Sequence, residues 1–266
     1  MLYNIAHSFL RSGIELSSPK KILDIMPVIA TADQSEAAED RKRLAEEVEE
    51  KTRGMFRLEM ANIEKGTVSI EDAYDEALNA PAILKKVKEA EEKGYSAVVI
   101  DCFGDPALDA AKELVSIPVV GANEAACHLA AQIAPKFSII NILPEVEPLV
   151  RGLLIKRGFL QYLASIVTIG IPVLDLEKDR EKSASAVVRA IEKAFKEDGA
   201  YAAVLGCTGM SSLLEIVKKQ LDKKGVNIPI VEPLRAAVYS AIVFSLIGIS
   251  HSKAAYMSPR PKPTKL

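Results

Sequence analysis

The chain has no tryptophan, only three cysteines and only three histidines in 266 residues. Each shortage removes a class of chemistry. Cys102, Cys127 and Cys207 cannot all pair with one another, and none belongs to a Cys-x-x-Cys pair. His7, His128 and His251 have no metal-ligand spacing, so no metal is expected. The chain also lacks a phosphate-cradling Gly-x-x-x-x-Gly-Lys-Ser/Thr loop, a Gly-x-Gly-x-x-Gly turn and a Gly-x-Ser-x-Gly elbow. Neither sign of charge dominates: 34 Lys and Arg against 36 Asp and Glu leave a net charge of −2. No basic field therefore draws the chain to nucleic acid or to an anionic membrane. The longest charge-free apolar stretch, residues 236–250, is too short for a membrane span and reads as a buried helix. Asn4, His7 and Ser8 break up the opening residues too much for a signal peptide. A cytoplasmic location with reduced thiols is the expectation.

What the chain does have is an internal duplication. Gly94-Tyr-Ser-Ala-Val-Val-Ile-Asp-Cys102-Phe-Gly104 returns as Gly199-Ala-Tyr-Ala-Ala-Val-Leu-Gly-Cys207-Thr-Gly209. Each copy continues through a helical stretch into Ile-Pro and a hydrophobic pair, at Ile117-Pro118 and Ile228-Pro229, and closes on Ala125-Ala126 or Ala236-Ala237. Two related half-domains, facing each other about an approximate two-fold axis, would bring equivalent thiols to one crevice.

Short apolar runs alternate with amphipathic stretches along most of the chain. Strands are expected over 21–29, 57–63, 97–101, 119–120, 137–143, 166–174, 202–205 and 229–231. Helices are expected over 34–53, 69–78, 82–93, 105–114, 124–133, 146–157, 182–197, 213–224 and 234–246, with Pro81 opening the third. Such alternation indicates an α/β fold of two pseudo-symmetric lobes, each a mostly parallel sheet flanked by helices, with the active site in the cleft between them. The expected divisions are an N-terminal extension (1–20), a first lobe (21–121 with 236–257), a second lobe (122–235) and a Pro-rich tail (258–266).

Ligands of parallel sheets bind at the carboxyl ends of the strands, where both Cys102 and Cys207 fall. A helix start there would lower a thiol pKa and hold an anion. Gly104 and Gly209 allow close backbone approach and offer N–H groups, and Thr208 offers a hydroxyl. A lone cysteine behind an apolar strand is usually packing; two at equivalent points of a repeat, each followed by X-Gly, reverse that reading. Cys127, between Ala126 and His128 in a helix, reads as core. Asp101 points to the opposite face from Cys102 and suits structural pairing. Asp105 is expected to cap the helix that follows it, with substrate contact as the alternative, and Thr31 to border the same edge as the cysteines.

The two cysteine motifs, Val99-Ile-Asp-Cys102-Phe-Gly-Asp-Pro-Ala-Leu-Asp-Ala-Ala111 and Val204-Leu-Gly-Cys207-Thr-Gly-Met210, together with Ile117-Pro-Val-Val-Gly121, resemble the aspartate/glutamate/hydantoin racemase superfamily, most of all its hydantoin racemase branch. The likeness covers roughly residues 60–257 and includes Asp75-Glu76-Ala77 and His251-Ser-Lys253. It implies two α/β lobes, no metal or other cofactor, and one cysteine from each lobe, at Cys102 and Cys207. Amino-acid racemases of the superfamily usually carry Cys-Asn-Thr and Cys-Thr-His; this chain has Cys-Phe-Gly and Cys-Thr-Gly. It thus lacks polar groups suited to gripping a free amino acid. The resemblance implies an isomerase that inverts a carbon next to a carbonyl, one thiolate taking a proton while the opposed thiol returns one. A 5-substituted hydantoin is the expected substrate, bound by Thr31, Phe103, Gly104, Thr208 and Gly209, with backbone N–H groups around Gly104 and Gly209 taking up the carbanion charge. Two alternatives are an Asp/Glu-type or maleate-type isomerase of the same superfamily and, from another class, a non-catalytic ligand-binding protein. A small-molecule substrate and a homo-oligomer are the expected partners.

Overall fold

Strands β3 (Ala97–Ile100) and β7 (Ala202–Leu205) have no exposed residue, and each lies inside a four-stranded sheet. The structure is a computed structural model that describes residues 18–31 and 35–263. The expected N-terminal extension therefore falls, through residue 17, outside the described residues, as do the last three residues of the tail.

The first sheet has the order β2-β1-β3-β4, with β1 Lys20–Met26, β2 Phe56–Asn62 and β4 Val119–Gly121. The second repeats that order as β6-β5-β7-β8, with β5 Phe137–Asn141, β6 Leu163–Thr168 and β8 Ile230–Val231. All pairings are parallel; Ile22 faces Ala97 in the first sheet as Phe137 faces Ala202 in the second. The fold is the expected α/β architecture of two parallel sheets flanked by helices.

The continuous apolar run of β3 follows from burial on both faces. Val98 and Ile100 pack in one cluster with Ile83, Val87 and Leu108, while Ala97 and Val99 join the larger cluster that extends through the second sheet. The period-two alternation of a strand divides one four-residue segment between two cores.

Helices α1 (Ser35–Lys51), α2 (Ala73–Glu92), α3 (Leu108–Leu114), α4 (Ala122–Ile133), α5 (Glu147–Arg157), α6 (Arg180–Lys196), α7 (Leu214–Lys223) and α8 (Pro233–Ile247) complete the alternation. The helices that follow the two edge strands exchange sides. Helix α4 leaves β4 and packs against β7 and β8, whereas α8 leaves β8 and packs against β3 and β4, and the two helices pack together.

Three local expectations are corrected. The separate helices 69–78 and 82–93 are one helix, α2, with Pro81 inside it. Proline's fixed φ is helical, and Asn79, fully buried and donating to Pro27 O at 2.9 Å, anchors the turn before it. The strand expected at 166–174 is β6, ending at Thr168, because Gly170 takes φ +72° and Pro172 has no N–H to continue a ladder. The helix over 236–250 is only partly buried: Val243, Phe244, Leu246 and Ile247 in the last turns of α8 are exposed. Among the described residues, no helix is long and apolar enough to cross a membrane.

Candidate active site

Cys102 and Cys207 each stand two residues beyond the end of a central strand, β3 or β7, and both line one cavity of about 220 Å³. Each sulfur accepts a backbone hydrogen bond from the glycine two residues on: Gly104 N to Cys102 Sγ at 3.4 Å, and Gly209 N to Cys207 Sγ at 3.3 Å. The Thr208 hydroxyl donates to Asp101 O at 3.3 Å, so the loop that carries one cysteine is tied directly to the loop that carries the other.

The chain around Cys102 departs from the expected helix start. Helix α3 begins only at Leu108, and its cap, Ala107, is left-handed at φ 58° without a side-chain bond. Asp105, also at positive φ, does not cap α3. Its two carboxylate oxygens instead accept from Asn123 N and Glu124 N, both at 2.9 Å, at the start of α4. Gly121 is required for this, since a Cβ there would collide with the Asp105 carboxylate. At Cys207, by contrast, a 3-10 helix (Thr208–Leu213) starts at once, with the thiol as its cap.

Neither thiol is held below its ordinary pKa, contrary to the expectation from helix starts. Burial pushes Cys102 well above the usual range; the Gly104 N–H opposes this, while Cys207, Glu76 and Asp105 add to it. Burial pushes Cys207 up to about 11, opposed by the Gly209 N–H and Arg41. Desolvation outweighs the backbone N–H groups at each sulfur. The Gly104 and Gly209 N–H groups, expected to face a carbanion, are engaged at the thiols themselves.

Behind Cys207 lies a buried ion pair. Arg41 on α1 donates through Nε to Asp101 Oδ2 at 2.5 Å, and its Nη2 lies 2.5 Å from the same oxygen. Asp24, beside them on β1, has neither carboxyl oxygen hydrogen-bonded among the described residues. Burial, and after it Asp101, pushes the Asp24 carboxyl well above its ordinary pKa, opposed by Arg41.

Thr31, Phe103, Gly104, Thr208 and Gly209 all line the same cavity as the two cysteines. Phe103 is almost wholly buried, and the Thr208 hydroxyl is committed to Asp101. Cys127 is fully buried on α4, away from the cavity lining. Residues not singled out in the sequence also contribute. Ile142, Val146, Leu149, Val173 and Leu176 form an apolar wall, while Glu71, Asp72 and Glu76 line the cavity from the first lobe. Glu71 accepts from Val173 N at 2.8 Å and so joins the lobes beside the cavity. Among the described residues Arg41 is the one Lys, Arg or His in the lining, and Asp101 already neutralises it. Among the described residues, no group of three or more His, Cys, Asp and Glu is placed to hold a metal ion.

The model of the Asp/Glu/hydantoin racemase family matches residues 38–241. The chain is 38% identical over 203 residues to a hydantoin racemase from Paenarthrobacter aurescens, covering 76% of this chain and 84% of that one. It is 37% identical over 195 residues to a hydantoin racemase from Rhizobium meliloti, covering 73% and 79%. Among solved structures, an allantoin racemase from Klebsiella pneumoniae superposes with a TM-score of 0.82 at 32% identity, covering 92% of this chain and 96% of that one.

Proposed function

Because the chain belongs to the Asp/Glu/hydantoin racemase family, we propose that it is a cofactor-independent racemase of 5-substituted hydantoins or closely related cyclic ureides, working through Cys102 and Cys207. The observation that carries this reading is the matched pair of thiols, one per sheet, each with its glycine N–H bond, on a single cavity. One cysteine, as thiolate, takes the proton from the stereogenic carbon and becomes a thiol. The other gives its proton to the opposite face and becomes a thiolate. Atoms and charge balance, and the chain is left ready for the reverse reaction. The Gly104 and Gly209 N–H groups stabilise whichever sulfur carries the charge.

The choice of substrate class follows from charge. A free amino acid or dicarboxylate would meet Glu71 and Asp72 with, among the described residues, no uncommitted cation in the lining to balance it. An uncharged ring suits the apolar wall and forms its carbanion as an enolate. The same reading takes the lobes as 21–121 with 236–257 and as 122–235. It also carries a cytoplasmic location and assembly as a homo-oligomer, the latter supported by the exposed apolar side chains at the end of α8.

Loss of optical rotation tests the reading. Each enantiomer of a 5-substituted hydantoin is expected to lose rotation with enzyme, while free amino acids keep theirs and maleate is not isomerised. Racemisation of free aspartate or glutamate in preference to hydantoins would overturn the substrate assignment.

A further inference from the structure

An enolate needs a donor for its oxygen, and the groups best placed by sequence are taken. The Gly104 and Gly209 N–H groups bond to sulfur, Thr208 Oγ1 bonds to Asp101 O, Asn62 Nδ2 bonds to Val28 O, and Arg41 is paired with Asp101. Glu76 is different. It stands in the first turn of α2, half-buried, lining the cavity, and among the described residues its carboxyl has no hydrogen-bond partner. Its Oε1 occupies the space into which a Cβ on Gly104 would project, and Cys102 Sγ is 3.7 Å from that same point. Glycine at position 104 therefore makes room for a carboxyl group that borders the cavity beside the thiol.

We propose that Glu76, as a neutral carboxylic acid, pairs with the amide edge of the substrate ring, its O–H donating to the carbonyl next to the stereogenic carbon and its C=O accepting from the adjacent ring N–H. The inference rests on the hydantoin reading above and deepens it by naming the group that reads the ring. Proton removal places negative charge on that carbonyl oxygen, where a donor is worth most. An ionised carboxylate would accept from the ring N–H but would repel the forming enolate. Burial, and after it Asp72, pushes Glu76 up to about 7, which keeps the acid form populated at neutral pH. The charged and titratable groups around it are Asp72 and Glu71 at the start of α2, Cys102 beside Gly104, and Cys207, Arg41 and Glu177 elsewhere in the lining. Of these, Asp72 adds to the effect of burial on Glu76, and Arg41 is neutralised by Asp101.

The test compares wild type, Glu76→Gln and Glu76→Ala on a 5-substituted hydantoin and on its analogue methylated at the imide nitrogen. Glutamine keeps a donor and an acceptor but cannot ionise. It is expected to retain racemisation, and the ratio of its kcat/KM to that of wild type is expected to rise as pH increases through about 7, where wild type loses its donor. Alanine should cost kcat about 10²-fold, the scale of a lost oxyanion donor. Methylation of the ring nitrogen should slow wild type and add no further loss in Glu76→Ala. Three results would overturn the proposal: Glu76→Ala racemising like wild type, a pH-independent Gln-to-wild-type ratio, or an equal methylation penalty in both proteins. If neither variant folds, wild type alone decides: racemising the methylated ring as fast as the parent would overturn it. Wild type that racemises hydantoins while Glu76→Ala is unimpaired removes only this inference. Wild type that racemises no hydantoin removes the functional reading as well.

Discussion

The two half-sites share a backbone and differ in charge. Each has a buried central strand, a cysteine two residues beyond it and a glycine N–H on the sulfur. Cys102, however, stands among Glu76 and Asp105, whereas Arg41 and Asp101 adjoin Cys207. Where the first copy has Asp101, the second has Gly206, pressed against Ile140 O so closely that a Cβ would lie 2.7 Å from it. Duplication has kept the device that positions sulfur, while the side chains around it have diverged. The two thiols thus stand in unequal surroundings, acidic around Cys102 and with a cation beside Cys207.

The comparison breaks most visibly at the sulfurs. Replacing either Cys102 or Cys207 with serine should reduce racemisation of both enantiomers by about 10²- to 10⁴-fold, since every turnover needs both groups. Racemisation by Glu76→Gln, whose donor does not titrate, should also climb as pH rises above neutral, because burial holds both thiols above their ordinary range and only rising pH populates a thiolate. A pH–rate profile already flat from neutral pH upward would mean that the thiolate forms more easily than its surroundings allow.

The next effect is on stability. Arg41→Met leaves Asp101 buried without its counter-ion and should cost about 3–5 kcal/mol, read from urea unfolding. Gly121→Ala drives a methyl group into the Asp105 carboxylate and should cost about 1–3 kcal/mol through the two N–H bonds at the start of α4. The smallest effect on activity belongs to Cys127→Ser. Cys127 is fully buried and its thiol is pushed far up, so it should label with iodoacetamide more slowly than Cys102 or Cys207 by peptide mass mapping, and its loss should leave racemisation near wild type.

Legibility in the sequence followed the range of the interaction. The cysteine loops could be read because Gly, Cys and Gly lie within a few residues of one another and occur twice. The parallel sheets could be read because buried strands such as Ala97–Ile100 are continuous apolar runs between amphipathic helices. The role of Asp105 is not legible, because its partners, Asn123 and Glu124, lie far along the chain beyond β4. Arg41 and Glu76 sit on charged helices whose composition looks like solvated surface; only the fold turns those residues toward the cavity. The thiol pKa values are not legible, because a local motif shows the N–H donor, while burial depends on everything packed around the sulfur. A signal for Glu76 does exist: a glycine two residues after the cysteine leaves room for some group, although nothing in the spacing says which.

Hydrogen exchange in deuterated water, followed for each enantiomer of a 5-substituted hydantoin with Cys102→Ser and Cys207→Ser, tests the central claim most directly. Each variant should exchange the proton facing its remaining thiol without inverting the carbon, so the two should exchange opposite enantiomers. Exchange of the same enantiomer by both variants, or racemisation by either at the wild-type rate, would contradict a pair of opposed cysteines acting as acid and base.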